Sequence, residues 1–236
     1  MIDSEMMVGT GLRITAPRDE LAARLALVAR GVSTRTAVLV LGGIQLRAEA
    51  GRLHLAATDM EVSPRAALDA QVDGEGTAVV PGRLLLDIAR SLPDGEVTLE
   101  HKPEEAVVVV TAGTATYRLH TSSAEDFPRL QEIKDGTSLH LDPKALRRAI
   151  ERVEFAAASD DSRPVLTGVQ VKVDGTRLTL ASADGFRLAV SDITLANAPA
   201  EGIEVIIPAR ALRELSRLID RDVDAILATG DQIRQS

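Results

Sequence analysis

The chain of 236 residues is long enough for two average domains, and its 45% hydrophobic and 26% charged residues are ordinary for a globular protein. It contains no Cys, which excludes disulfides and Cys-ligated zinc, and no segment reaches the roughly 18 uncharged apolar residues of a membrane span. With a net charge of −8 and only 2% aromatic residues, the chain is a poor candidate for stacking on single-stranded nucleic acid.

The amino-terminal segment predicts no export signal. Residues 1–15 include Asp3 and Glu5, and they lack the basic region followed by an apolar region that a signal peptide needs. We therefore expect a cytoplasmic protein with no membrane partner.

The predicted elements are a mixture of helices and strands, which indicates an α+β fold. Apolar residues at helical spacing predict four helices, over 18–30, 82–92, 144–157 and 209–220. Asp142 followed by Pro143 is typical of an N-cap and first helical residue, and Pro81 and Pro208 each open a helix. A further strand leads into each of those two prolines. Alternating β-rich runs predict the other strands, over 38–47, 52–58, 96–100, 106–111, 114–121, 165–173 and 177–183.

The sequence repeats itself with a period of about 125 residues. At this offset Asp59 aligns with Asp184, and the neighbouring strand and turn residues align with it. Further along, an offset of 127 places residues 79–88 on residues 206–215. Matches that follow one another in the same order predict two copies of one domain.

The repeat also suggests where the domains begin and end. Residues 1–130 are predicted to form the first copy, residues 131–137 a polar linker, and residues 138–236 the second copy. The end of the first copy corresponds to position 257 (130 + 127), so about 21 residues of the second copy are missing after Ser236 (257 − 236). We therefore expect the chain to be a fragment of a longer protein.

Basic residues collect on the predicted helices of the second copy. One set, on helix 144–157, is Lys144, Arg148 and Arg152, and the other, on helix 209–220, is Arg210, Arg213 and Arg217. Within each set the residues are three or four positions apart, which places them along one face of the helix. Taken alone, such stripes are typical of ordinary solvated helix faces. Because the helices recur in two matched domains, they favour a common surface that binds duplex DNA through its phosphates.

Catalytic and metal-binding patterns are absent from the sequence. The four His are isolated from one another, and neither a phosphate-binding loop nor a nucleophile elbow is present. Asp220, Asp222 and Asp224 resemble the start of a calcium loop, but Ala225 stands where that loop needs Gly. Asp59 and Asp184 are interpreted as turn formers, not as paired catalytic carboxylates. We expect no cofactor and no enzyme activity.

Four segments resemble the beta subunit of bacterial DNA polymerase III, a family of sliding clamps. They are LLDIARSLPDG (85–95), TSSAEDFPRL (121–130), SRPVLTGVQ (162–170) and LASADGFRLAV (180–190). The resemblance covers nearly the whole chain. It implies three domains per chain and a head-to-tail dimer that encircles duplex DNA, of which this chain carries the first domain and most of the second.

The resemblance also implies roles for residues at matching positions. Arg35 and Arg163 match basic residues near DNA, and Arg210 and Arg217 match helix positions that face the hole. The family has a groove that captures short peptides of polymerases and the clamp loader. The residues of this chain that match the second-domain half of that groove are Ala183, Gly185, Phe186, Arg187 and Leu188. The family often has Thr and His where this chain has Ala183 and Phe186, which implies a drier groove. The first-domain side of the ring interface is matched by Leu84, Ile88, Tyr117 and Leu119.

Three alternatives to this interpretation stay open. A two-domain clamp that closes as a trimer, of the archaeal and eukaryotic type, fits the length but not the segments. An enzyme built on duplicated α+β domains would need a polar cluster shared between distant segments, and the sequence offers none. A protein-interaction scaffold that never contacts DNA would be insensitive to reversal of the basic residues.

Overall fold

The computed structural model describes residues 11–33, 38–130, 136–160, 162–200, 202–219 and 225–230. The chain divides into two compact units, Met1–Leu130 and Gln131–Ser236. Each unit contains helices and antiparallel sheets, which confirms the predicted α+β class.

Unit 1 is built from two antiparallel sheets and two helices. One sheet has the strand order β5-β1-β7-β8-β9, and the other has the order β4-β3-β2-β6. The elements are β1 (Arg13–Pro17), α1 (Arg18–Val28), β2 (Gly43–Glu49), β3 (Arg52–Ala56), β4 (Arg65–Asp69), β5 (Gln71–Gly74), β6 (Gly76–Pro81), α2 (Gly82–Ser91), β7 (Glu96–Lys102), β8 (Val107–Ala112) and β9 (Ala115–His120).

Unit 2 follows the order of unit 1 from β1 to β7, and its described residues include no counterpart of β5, β8 or β9. Its larger sheet runs β13-β12-β11-β14, in the same topology as β4-β3-β2-β6, and β10 pairs with β15 as β1 pairs with β7. The elements are β10 (Gly136–Leu141), α3 (Pro143–Val153), β11 (Gly168–Asp174), β12 (Arg177–Ala183), β13 (Leu188–Thr194), β14 (Ile203–Pro208), α4 (Ala209–Leu218) and β15 (Ala225–Gly230).

Each helix packs an apolar face into the core of its own unit. Leu21 and Leu25 of α1 are fully buried, and the repeat-equivalent Leu146 and Ile150 of α3 are buried in unit 2. Strands β11 and β12 alternate buried and more exposed residues, so each contributes one face to the core. The polar faces of α1 and α3 are therefore left at the surface.

The start of α3 has the predicted cap. The Asp142 side chain accepts a hydrogen bond from the backbone N–H of Lys144 at 3.1 Å, and Pro143 occupies the first turn, where it needs no N–H partner. At the other end, α3 stops at Val153 and continues as a 3-10 turn over Glu154–Ala156.

Several predicted boundaries were wrong. Residues 39–42 and 164–167 form 3-10 turns in place of the first residues of predicted strands, and the helices predicted to reach 30 and 157 end at Val28 and Val153. Both turns contain apolar residues and lead directly into a strand, so their local composition resembles that of a strand start. The sequence also did not predict the following strands: β1, β4, β5, β10, β13 and β15.

Candidate functional site

Helix α3 carries a line of three exposed cations, Lys144, Arg148 and Arg152, which we call the α3 basic line. They are one helical turn apart, on the side away from the buried Ile150. Among the described residues none of the three has an ion-pair partner, whereas the neighbouring Arg147 is bound to Glu151 at 2.9 Å. The α3 basic line therefore presents uncompensated positive charge.

Arg148 and Arg152 also line a cleft of about 410 Å³ in unit 2. Its opposite wall is the end of β13, including Asp192. That carboxylate accepts hydrogen bonds from Arg177 at 2.5 Å and Thr179 at 2.7 Å, and these bonds lower the pKa of Asp192. Because Asp192 already has partners, it does not neutralise the two arginines of α3.

Within the described residues, arginines of α4, unlike the cations of the α3 basic line, are bound to carboxylates. Arg213 binds the carboxylate of Glu154 through Nε and Nη2 at 2.6 Å, and Arg217 binds Glu214 at 2.8 Å. Arg210 is exposed. At least two predicted DNA-contacting residues of α4, Arg213 and Arg217, have carboxylate partners, so α4 carries less uncompensated positive charge than α3.

A tight turn follows β12 and presents the predicted groove residues. Asp184 Oδ1 accepts hydrogen bonds from the backbone N–H of Phe186 at 2.9 Å and of Arg187 at 3.1 Å. The N–H of Phe186, more than any other group, holds the pKa of Asp184 below its usual range. Gly185 has a φ of +92°, which suits glycine because it lacks a Cβ.

The same turn recurs in unit 1 at the repeat-equivalent position. Asp59 Oδ1 accepts hydrogen bonds from the backbone N–H of Glu61 at 3.1 Å and of Val62 at 2.8 Å. Met60, which takes the place of Gly185, also has a positive φ, 78°. Both aspartates therefore shape turns, as the sequence predicted.

The surface around the turn after β12 is apolar, and it also carries the guanidinium groups of Arg163 and Arg187. Phe186 is 98% exposed and Leu188 is exposed beside it, while Ala183 is half-buried at the end of β12. Arg187 Nε donates to Asp184 Oδ2 at 2.8 Å.

Arg163 belongs to this same surface. Its Nη1 lies 3.3 Å from the position that a Cβ on Gly185 would take. The resemblance implied a DNA role for Arg163, and the structure places its guanidinium against the segment that is predicted to form the groove. The sequence carried no signal of this proximity, since 22 residues separate the two positions (185 − 163).

The four residues predicted for the ring interface divide into two pairs. Leu84 is 49% exposed and Tyr117 is 38% exposed, so both offer apolar surface. Ile88 and Leu119 are buried in the core of unit 1. An interface in this region would therefore use the side chains of Leu84 and Tyr117, with Ile88 and Leu119 supporting them from beneath.

Some predicted positions lie outside the described residues, namely Arg35 and the run from Asp220 to Asp224. Among the residues that are described, no cluster of three His, Asp or Glu side chains could hold a metal ion. In the same part of the chain, no helix has the length and apolar character that crossing a membrane requires.

Comparison with known proteins identifies the family. The model of the N-terminal domain of the DNA polymerase III beta subunit matches residues 12–131, and the model of its central domain matches residues 140–234. The "Beta sliding clamp" of Streptomyces coelicolor is 35% identical over 92% of this chain and 57% of that protein. The "Beta sliding clamp" of Micrococcus luteus is 34% identical over 93% of this chain and 70% of that protein.

Solved structures give the same result. The DNA polymerase III subunit beta of Pseudomonas aeruginosa superposes with a TM-score of 0.86 at 32% identity, over 93% of this chain and 60% of that one. A DNA polymerase III beta subunit from Eubacterium rectale superposes with a TM-score of 0.89 at 25% identity, over 94% of this chain and 60% of that one. The chain thus spans about three-fifths of the length of these proteins, and it belongs to the DNA polymerase III beta subunit family, with the N-terminal and central domains in that order.

Proposed function

We propose that this chain supplies two domains of a sliding clamp, a non-catalytic ring that encircles duplex DNA and tethers a DNA polymerase during replication. In this proposal unit 1 is the first clamp domain, residues 131–137 are the linker, and unit 2 is the second domain. The observation that carries the DNA-binding part is the α3 basic line, Lys144, Arg148 and Arg152, which lacks ion-pair partners among the described residues.

The α3 basic line suits contact with phosphates and not with bases. Three cations at one-turn spacing on a rigid helix attract the DNA backbone without reading its sequence. A ring does not need tight affinity, because enclosure of the duplex prevents dissociation. Weak contacts also leave the ring free to slide, and the net charge of −8 then limits non-specific adhesion elsewhere on the surface.

The turn after β12 is the proposed peptide groove of unit 2. Exposed Phe186 and Leu188 offer apolar contacts, while Arg163 and Arg187 offer donors to acceptor groups of an extended peptide. The partners we propose are short segments of the replicative polymerase and of clamp-loader subunits. A clamp of Pseudomonas aeruginosa has been crystallised bound to griselimycin, so at least one relative binds a ligand.

We also propose that the protein closes head to tail with a second copy. Leu84 and Tyr117 offer exposed apolar surface on unit 1, which supports a contact there. The other side of such an interface would come from the second copy.

Charge reversal on α3 tests the DNA-binding part of the proposal. Replacing Lys144, Arg148 and Arg152 with Glu should strongly weaken binding to short linear duplex DNA at low salt, where enclosure cannot hold the protein, and the slope of log affinity against log salt should fall by about 0.9 for each phosphate that the variant no longer neutralises. The matched control is Arg147→Glu on the same helix, because Arg147 is already bound to Glu151.

The Arg147→Glu control distinguishes an effect of the α3 basic line from an effect of the overall charge of the protein. If Arg147→Glu weakens binding to linear duplex DNA as much per charge as reversal of the α3 basic line does, only overall charge matters. If the triple variant binds DNA as the wild type does, the DNA-binding role is refuted and the interaction scaffold becomes the better explanation.

A further inference from the structure

Exposed phenylalanines mark one surface of unit 2. The chain has only three Phe and one Tyr, and Phe127 is buried in unit 1. Phe155 and Phe186, in contrast, are 53% and 98% exposed. Leaving a large apolar ring in water forgoes the stabilisation of burying it, so two such rings in an aromatic-poor protein indicate a use at the surface.

Phe155 contacts the groove through Arg187. The guanidinium carbon of Arg187 lies 5.6 Å from the centre of the Phe155 ring, within the range of a cation–π interaction. On its other side, Arg187 Nε donates to Asp184 Oδ2 at 2.8 Å. The guanidinium is therefore held by a ring and a carboxylate, and its side chain remains more than half exposed.

The turn that carries Phe155 is itself anchored. Glu154, the residue before it, binds Arg213 of α4 at 2.6 Å. The carbonyl of Val153 accepts a hydrogen bond from Ser182 Oγ of β12 at 2.5 Å, one residue before the groove segment begins. The bond from Ser182 ties this turn to β12 and the bond to Arg213 ties it to α4, so the backbone that carries Phe155 is anchored to two neighbouring elements.

The repeat shows that the fold does not require this arrangement. Unit 1 has the same 3-10 turn at Ala29–Gly31 and the same Asp turn at Asp59, yet Arg30 and Val62 stand where unit 2 has Phe155 and Arg187. The stacked pair is thus particular to the unit that carries the proposed groove.

We propose that Phe155 is a positioning residue of the peptide groove, which holds the Arg187 guanidinium in the orientation that meets an acceptor group of the bound peptide. The proposal rests on the peptide-binding function proposed above. A held guanidinium loses less side-chain freedom on binding than a free one, so the pair raises affinity without Phe155 touching the peptide.

A double-mutant cycle tests the proposal by peptide affinity. The probe is a synthetic peptide that copies the carboxy-terminal tail of the replicative polymerase from the same organism, titrated by calorimetry. Phe155→Leu should weaken binding about two- to five-fold, the size of an exposed cation–π interaction, while Phe155→Tyr should bind as the wild type does. In an Arg187→Met background, Phe155→Leu should cause no additional weakening.

Two results of the cycle would overturn the proposal. One is an equal weakening by Phe155→Leu whether or not Arg187 is present, which would mean that Phe155 contacts the peptide or only supports the fold. The other is a Tyr variant as weak as the Leu variant.

A measurement without ligand separates this proposal from the peptide-binding function. In NMR spectra of the wild type and of Phe155→Tyr, the Arg187 Nε–H proton should show a ring-current shift, and Phe155→Leu should abolish this shift while the hydrogen bond to Asp184 remains. If the wild type does not bind the peptide, the proposed groove function fails, whatever the NMR result. If the Nε–H signal is unchanged by Phe155→Leu, Phe155 does not position Arg187 and this inference fails on its own.

Discussion

A single carboxylate organises the loop after β12. Asp184 uses one oxygen to bind two backbone N–H groups and the other to bind the Arg187 side chain. Through these three bonds it orients both the exposed Phe186 and the charged Arg187. The geometry of the proposed groove therefore depends on the ionised form of Asp184.

This dependence predicts a response to pH. Since hydrogen bonds, first that from the Phe186 N–H, lower the pKa of Asp184 below its ordinary value of 3.8, the carboxylate favours the folded turn at any pH above that value. Its contribution should disappear as the pH falls through the lower pKa of the folded state. The amide signals of Phe186 and Arg187, followed by NMR, should move together in this acidic range and stay constant near neutrality.

Asp184→Asn supplies the control for the titration. The amide group cannot ionise, so in this variant the same signals should not titrate. A titration midpoint of the wild-type signals at or above the ordinary aspartate pKa of 3.8 would contradict the assigned hydrogen bonds.

At the scale of single residues, the sequence predicted which side chains lie on an exposed helix face, but it did not predict which residues form ion pairs with each other. The spacing of Lys144, Arg148 and Arg152 placed them on one exposed face, because helical periodicity is local. The ion pair between Arg213 and Glu154 joins residues 59 positions apart, and nothing local signals it. Phe155 was missed because a Phe near the end of an apolar helix pattern is more often a core residue.

Among the elements, α3 combines the two properties that the proposed function needs. Its buried face fixes it to the core of unit 2, and its exposed face carries the α3 basic line. Its start is defined by the Asp142 cap, which satisfies one backbone N–H that the helix cannot. The cap therefore helps to hold the first cation, Lys144, in its place on the helix.

Removal of the cap should lower the stability of unit 2. Asp142→Ala is expected to reduce the free energy of unfolding by about 1 kcal/mol, while Asp142→Ser, which can still accept the hydrogen bond, should change it little. The measurement is the urea midpoint followed by circular dichroism, with an unchanged slope, because the chain has no Trp to report unfolding by fluorescence. A destabilisation as large for Ser as for Ala would show that the side-chain bond is not what stabilises this helix start.

Elements with strong periodicity were predictable, and short or irregular ones were not. All four helices and the β12 strand over 177–183 appear where the sequence placed them, within a few residues at the helix ends. Strands β4 and β5 are five and four residues long, separated only by Ala70, and too short for a clear alternation. The 3-10 turns after α1 and α3 continue the apolar pattern of each helix, so the sequence extended both helices through them.

For the whole molecule, the repeat carried the most information. It predicted two copies of one α+β domain, and the described strands and helices of unit 2 follow the order of their counterparts in unit 1. It also shows where the copies differ, since within the described residues the α3 basic line and the Phe155–Arg187 pair have no counterpart in unit 1. The repeat alone named neither DNA nor a polymerase, because a shared fold does not specify a function.

The central claim is that this chain forms part of a ring that holds DNA by enclosure. The most direct test uses the natively expressed protein at its native length, placed on nicked circular duplex DNA by its clamp loader and separated by gel filtration at high salt. We predict that the protein remains with the circle and is released when a restriction enzyme linearises it. Equal retention on circular and linear DNA, or no retention on the circle after loading, would contradict this claim.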